Sequence, residues 1–110
     1  MAKKNKVYTV EISERASEML VHHARFLATD LRSDVSETAA KRLIGQFEAQ
    51  AKSLRKQPER FPWLSHSALP EHKYRKLLFE KRYLLLYQIK EDTVYIDAMV
   101  DCRQDYEWLL

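Results

Sequence analysis

The chain is poor in the residues that several common classes of protein depend on. Its 110 residues include one cysteine, Cys102, one glycine, three prolines and four histidines. A single cysteine excludes an internal disulfide, and with so few histidines it gives no zinc-ligand spacing. The low glycine and proline content argues against a low-complexity chain. We therefore expect a protein of the reducing cytoplasm that folds without disulfide, metal or cofactor.

Long apolar runs are missing as well. No stretch approaches the roughly 20 apolar residues that a membrane-spanning helix needs. The basic start of the chain, Met1–Lys6, leads directly into alternating residues rather than into an apolar segment. We therefore expect neither a signal peptide nor a membrane partner.

Length and charge bound the organisation of the chain and its partners. A chain of 110 residues fits a single domain, 1–110, that can bury a core of its own. The 19 Lys and Arg residues against 16 Asp and Glu residues give a formal net charge of +3 and a sequence pI of about 9.0. This balance is compatible with an acidic partner, either nucleic acid or an acidic protein.

The first half of the chain predicts one strand and two helices. Residues Val7–Ile12 alternate with period two and include β-branched residues, which is typical of a strand. Ser13 occupies a helix N-cap position, and apolar residues at steps of three and four predict a helix over Glu14–Leu31. A second apolar stripe follows a break at Ser33–Ser36 and ends near Gln57, because the next residue is proline. The short connection favours an antiparallel helix hairpin.

The last third of the chain predicts a three-stranded antiparallel meander. Two turn-like breaks separate its apolar segments, which are Arg75–Phe79, Arg82–Ile89 and Thr93–Val100. The middle segment is apolar on both faces and is expected inside the sheet. In the last segment one apolar face is predicted to consist of Val94, Ile96, Ala98 and Val100. Together these elements make an α+β fold in which the helices pack on one sheet face and the meander ends in a charged edge.

Four short motifs of this region carry a resemblance to a known family. Tyr74–Arg75 lies at the start of the first meander strand, and Tyr83 and Tyr87 lie within the second. Asp92–Tyr95 opens the third strand, and Cys102–Asp105 follows it. With the element order, they make the chain resemble the RelE/ParE superfamily, the toxins of bacterial type II toxin–antitoxin systems. The resemblance implies a growth-inhibiting toxin of the kind that stabilises plasmids. It also implies a cognate antitoxin whose C-terminal segment orders as it wraps the toxin, in a complex that can be of higher order.

The resemblance leaves the target open, and with it the question of whether the protein is an enzyme. RelE-like toxins cleave mRNA in the ribosome, whereas ParE-like toxins poison DNA gyrase and are not nucleases. Leu84 stands at the arginine of the nuclease motif Tyr-Arg-x-x-Tyr, between Tyr83 and Tyr87, and Asp105 stands where some nucleases have a histidine. Both departures favour the ParE-like action. A third hypothesis is a decayed toxin that acts only as an antitoxin-binding module.

Basic residues of the meander and of the tail are the candidate site. For a ribosome-dependent endoribonuclease, the residues that resemble catalytic groups are Lys73, Arg75, Lys76, Arg103 and Tyr106. The candidates for contact with the target or the antitoxin are Lys73, Arg75, Lys76, Lys81, Arg82 and Arg103. The alternative role for the meander cations is a solvated strand edge that limits aggregation. We expect Tyr83 and Tyr87 in the core, Cys102 in packing, and His22 and His23 at the surface or its boundary.

Overall fold

The computed structural model describes residues 6–30 and 33–102 and shows the predicted α+β fold. Its elements are β1 (Thr9–Ile12), α1 (Glu14–Asp30), α2 (Ser33–Ser53), a 3₁₀ turn (Pro58–Arg60), β2 (Arg75–Phe79), β3 (Tyr83–Lys90) and β4 (Thr93–Asp101). Helix α2 ends at Ser53 rather than near Gln57, because turn residues follow it and Gln57 itself has a φ of 49°. Within the described segments no helix is both long and apolar enough to cross a membrane.

The four strands form one mixed sheet in the order β1-β4-β3-β2. Strands β2, β3 and β4 pair antiparallel in succession, which confirms the meander and places β3 inside the sheet. Strand β1 runs parallel to β4, from Thr9 opposite Thr93 to Ile12 opposite Ile96. β1 pairs with the outer side of β4 only over Thr93–Ile96, so the predicted edge is confined to the C-terminal half of the strand, where no described strand pairs with Asp97–Asp101 on that side. A parallel pair needs a long connection, and the two helices and the first meander strands supply it.

The helix hairpin packs on one face of the sheet, with α1 against β4 and α2 against β2. The buried side chains of the hairpin recur at steps of three to five: Ala16, Met19, Ala24, Leu43, Phe47 and Ala51. The largest fully buried side chains come mainly from the sheet and include Leu77, Leu85, Leu86, Tyr87, Ile96 and Met99. Burying one such side chain is worth about 1.5–3 kcal/mol. Because Leu85 and Leu86 are successive residues of β3, they point to opposite faces, so apolar burial stabilises both faces of the sheet.

A β-bulge at Asp97 interrupts the pairing of β3 with β4. Leu86 lies opposite Ala98. Tyr87, the next residue, lies opposite Ile96, so Asp97 is the extra residue. The alternation of side chains in β4 slips by one residue at this point. The single apolar face predicted for β4 is therefore wrong, since the register divides it into two pairs, Val94 with Ile96 and Ala98 with Val100.

The bulge also anchors the start of α1. Ser13 caps the helix as predicted, because its Oγ accepts a hydrogen bond from Ala16 N at 3.0 Å. The same hydroxyl donates to Asp97 O at 3.0 Å, and Arg15 Nε donates to that carbonyl at 3.1 Å. The carboxylate of Asp97 accepts a bond from Gln88 Nε2 at 2.7 Å. One irregular residue thus joins the helix hairpin to the centre of the sheet.

The long connection between α2 and β2 is fastened to the sheet by its main chain. Leu64 N donates to Tyr74 O at 2.7 Å, and Lys76 N donates to Pro62 O at 2.9 Å. The connection therefore runs antiparallel along the outer edge of β2, with a bridge between Trp63 and Arg75. The start of β2 is covered by protein, so the solvated-edge role is wrong for this part of the strand.

Candidate functional site

The cations predicted to form the site lie in two groups at opposite ends of β2. Lys73 and Arg75 are at its start, whereas Lys81 and Arg82 are in the hairpin turn after its end. The four residue steps of the strand separate these ends by about 13 Å. The structure therefore does not bring the predicted set together in one patch.

The pleat of the strand divides even neighbouring candidates. Arg75 and Lys76 are successive residues of β2, and successive side chains of a strand point to opposite faces. Their charges therefore do not converge on one point. The two remaining candidates, Arg103 and Tyr106, lie outside the described residues.

Arg75 anchors the connection that precedes β2. Its Nη1 donates to Phe61 O at 2.7 Å and to Glu59 O at 3.0 Å. Its guanidinium carbon lies 4.0 Å from the centre of the Trp63 ring, within the range of a cation–π contact. The side chain is half-buried, and these contacts are internal to the fold. Holding the connection in place therefore accounts for an arginine at this position.

We expect Arg75→Ala to lower the free energy of unfolding by about 1–3 kcal/mol, because two main-chain carbonyls lose their donor. Lys73→Ala is the matched control, since it removes an exposed cation two residues earlier, and it should change stability by no more than about 0.5 kcal/mol. Urea unfolding followed by circular dichroism measures both variants. Equal stability of Arg75→Ala and the wild-type protein would show that other contacts hold the connection.

At the other end of β2, Arg82 is joined to the end of β4. Its Nε donates to Asp101 Oδ2 at 2.7 Å, and its carbonyl accepts a bond from Cys102 N at 2.7 Å. The side chain of Asp101 is 2% exposed and that of Arg82 is 31% exposed. Arg82 is thus engaged inside the protein, whereas Lys81 beside it is exposed. Sequence analysis misses Asp101 because its partner lies 19 residues away.

His23 is buried beside this ion pair. It is 4% exposed, and its ring meets that of Tyr83 edge-on at a centroid distance of 5.4 Å. Burial lowers the pKa of His23, and the neighbouring His22 lowers it further, although Asp101 acts in the opposite direction. His22 is exposed as expected, but the surface or boundary position predicted for His23 is wrong. Its place on the inner side of α1, one turn after Met19, is the signal that could have shown this.

Residues of β3 that a nuclease would use for chemistry belong to the core. Tyr83 is 4% exposed and Tyr87 is fully buried, which confirms the prediction for both. Leu84 between them is 6% exposed. Cys102 is exposed, so the packing role predicted for it is wrong, because β4 ends one residue earlier. In the part of the chain that the structure describes, no group of three His, Cys, Asp or Glu side chains could hold a metal ion.

Comparison with known proteins identifies the family to which the chain belongs. A family model described as the ParE toxin of the type II toxin–antitoxin system parDE matches residues 10–106. The chain belongs to the ParE toxin family. The match covers both helices, the strands β2, β3 and β4, and all of β1 except its first residue, Thr9. This ParE-family chain is therefore a toxin, and its partner is a cognate antitoxin.

A solved structure has the same fold as this ParE-family toxin. It is described as the chromosomal ParDE TA system from P. aeruginosa and aligns with a TM-score of 0.69. The alignment covers 88% of this chain and 98% of that chain at 12% sequence identity, so the likeness concerns the fold. No curated protein sequence matches the chain significantly.

Proposed function

We propose that this ParE-family toxin acts on DNA gyrase in the cytoplasm and does not cleave ribosome-bound mRNA. The observation that carries the proposal is the position of Leu84, which replaces the arginine of the nuclease motif and lies buried in β3. A buried leucine can neither hold phosphate charge nor transfer a proton. The strand that supplies catalytic groups in the nucleases supplies packing in this chain.

The separation of the candidate cations supports the same proposal. Cleavage of RNA needs a base, an acid and a stabilising cation within hydrogen-bond reach of one phosphate. Lys73 and Arg75 lie at the opposite end of β2 from Lys81 and Arg82, and both arginines are engaged in internal contacts. The described candidates therefore form no such constellation.

Three of the predicted contact residues keep their charge available for a partner. Lys73, Lys76 and Lys81 form no ion pair with another described residue, and Lys73 and Lys81 are exposed. We infer that the antitoxin or gyrase meets these lysines along β2. Arg75 and Arg82 serve the fold first, and their loss would affect binding through stability.

Purified toxin should inhibit DNA supercoiling by gyrase or trap gyrase on cleaved DNA, and it should leave mRNA in programmed ribosomes intact. Expression in a bacterial host should arrest growth, and co-expression of the antitoxin should restore it. Agarose-gel supercoiling assays and primer extension on ribosome-bound mRNA measure the two activities with the same protein.

The control for both assays is the toxin mixed with its antitoxin. This mixture should neither inhibit gyrase nor cleave mRNA. Codon-positioned cuts in mRNA, with gyrase unaffected, would overturn the proposal and establish the nuclease. Inactivity in both assays, together with normal growth at high expression, would identify an antitoxin-binding module without toxicity.

A further inference from the structure

One end of the molecule, where α2 ends and where β1 and β2 begin, concentrates positive charge. We call it the basic end; its cations are Lys6, Lys52, Arg55, Lys56, Arg60, Lys73, Arg75 and Lys90. Three contacts draw the segments together: Tyr8 N to Arg55 O at 2.7 Å, Tyr8 Oη to Glu59 Oε2 at 2.9 Å, and Arg75 Nη1 to Glu59 O at 3.0 Å. The carboxylates around it are Glu11, Glu48, Glu59, Glu71, Glu91 and Asp92. Eight cations against six carboxylates leave this end with an excess of two positive charges.

Aromatic rings support the cations of the basic end. Of the six cation–aromatic pairs among the described residues, five lie there: Lys6 with Tyr8, Arg60 with Phe61, Lys73 with Tyr74, Arg75 with Trp63, and Lys90 with Tyr95. Their distances from charge to ring centre run from 4.0 Å for the Trp63 pair to 5.8 Å for the Tyr95 pair. Such contacts restrict the cationic side chains before any partner arrives, which reduces the entropy lost on binding.

Five cations of the basic end form no ion pair with any described residue. Three of the eight are engaged: Lys6 with Asp92 at 2.6 Å, Arg60 with Gln57 O at 3.0 Å, and Arg75 with Phe61 O at 2.7 Å. The other five are exposed and form no ion pair with any described residue: Lys52, Arg55, Lys56, Lys73 and Lys90. Lys52, Arg55 and Lys56 line a groove of about 470 Å³, whereas Lys73 and Lys90 line another of about 300 Å³.

We propose that the basic end binds the phosphate backbone of duplex DNA. An acidic protein would need an apolar centre to its interface, but the exposed apolar side chains here are Val7 and Trp63, and Arg75 lies over the Trp63 ring. Single-stranded nucleic acid would need open aromatic faces for its bases, and the rings of the basic end carry cations instead. The basic end has neither an apolar centre nor open aromatic faces, but it has several separated cations. Such a surface fits duplex DNA, whose regularly spaced phosphates can be bound without contacts to the bases.

The proposal concerns the basic end, which shares only Lys73 with the lysines inferred to meet the antitoxin or gyrase, and its triple variant changes none of those lysines. DNA binding of this kind is independent of sequence and would add to the proposed action on gyrase. The experiment that tests it contains no gyrase. Failure of one proposal is therefore distinguishable from failure of the other.

The salt dependence of binding tests the proposal. Fluorescence anisotropy of a labelled 20-base-pair DNA duplex of arbitrary sequence is recorded with the purified full chain. If all five cations contact phosphates, log K should fall with log[salt] at a slope of about −4.5, so that doubling the salt from 50 to 100 mM weakens binding about 20-fold. Absence of binding at 50 mM salt, or a slope near zero, overturns the proposal.

Charge-neutralising variants locate the surface. The triple variant Lys52→Gln, Arg55→Gln and Lys56→Gln should reduce the slope to about −1.8, so that the same doubling of salt weakens binding only about 3- to 4-fold. The matched control removes three exposed cations elsewhere on the fold, Arg25→Gln, Lys41→Gln and Arg42→Gln, and should keep the wild-type slope. Thermal melts verify that both triple variants are folded. An equal loss in the two variants would show that net charge, and not the basic end, governs binding.

Competitors identify the class of ligand. Unlabelled duplex DNA should displace the probe better than single-stranded DNA of equal length, and a poly-glutamate peptide of equal charge should be weaker still. Stronger displacement by the peptide would make the basic end a protein-binding surface and overturn the proposal. Displacement at least tenfold better by duplex RNA than by duplex DNA would overturn the choice of DNA.

Discussion

Tyr87→Ala is expected to lower the free energy of unfolding by about 3–5 kcal/mol, the range for deletion of a large buried aromatic ring. Tyr87 is fully buried in β3, and its Oη donates to Pro58 O at 2.7 Å. Burial raises the pKa of Tyr87 to about 12, so the hydroxyl remains a donor at neutral pH. The side chain therefore fills the core and also fastens the turn after α2. Toxicity should be lost together with folded protein, as measured by urea unfolding and a growth assay.

Tyr87→Phe separates the ring from the hydroxyl. It keeps the volume of the side chain but leaves Pro58 O without this donor, which should cost about 1–2 kcal/mol. We expect this variant to stay folded and toxic. If Tyr87→Ala instead melted like the wild-type protein and still lost toxicity, the ring would belong to a functional surface and its place in the core would be refuted.

Local patterns are sufficient to predict most of the elements. The alternation of apolar residues predicts β2 with both of its ends, Arg75 and Phe79. It also predicts β3 and β4 to within one residue at each end. Ser13 is identified as the cap of α1 from its type and position alone. These features depend on residues that are close in sequence, and a periodic pattern records such relations.

The parallel strand and the bulge depend on distant partners instead. Nothing in Thr9–Ile12 indicates that it pairs with β4, more than eighty residues later. The bulge at Asp97 is held by Ser13 and Arg15, which donate to its carbonyl from the start of α1. A strict alternation in β4 hides the extra residue, so the prediction of one apolar face fails at the residue where the helix docks.

Sequence also fails to show which cations are available for a partner. Lys73 and Arg82 are nine positions apart, and a regular strand carries them to opposite ends of the sheet edge. Arg75 and Arg82 are engaged by groups far away in the chain, the carbonyl of Phe61 and the carboxylate of Asp101. A linear pattern does not reveal the basic end for the same reason, since its cations come from separate segments that meet only in the folded protein.

Arg82→Ala is the second variant with a large expected effect, a loss of about 3 kcal/mol in the free energy of unfolding. The carboxylate of Asp101 is 2% exposed, and its Oδ2 accepts the bond from Arg82 Nε at 2.7 Å. Removing the guanidinium leaves this charge in the protein interior without its counter-ion, which costs more than the ion pair itself contributes. Lys81→Ala is the control. Because Lys81 is exposed, its removal should lower the free energy of unfolding by no more than about 0.5 kcal/mol.

A double-mutant cycle with Asp101→Asn tests whether the ion pair is the cause. Asp101→Asn keeps the size of the side chain, and it leaves Arg82, which is 31% exposed, able to reach water. The double variant should therefore be more stable than the sum of the two single effects predicts, by at least about 1 kcal/mol. Urea unfolding of the four proteins gives this coupling energy. Strict additivity would mean that Arg82 stabilises the fold through contacts other than the one with Asp101. If Arg82→Ala instead lost toxicity without losing stability, Arg82 would belong to the surface that meets the target or the antitoxin.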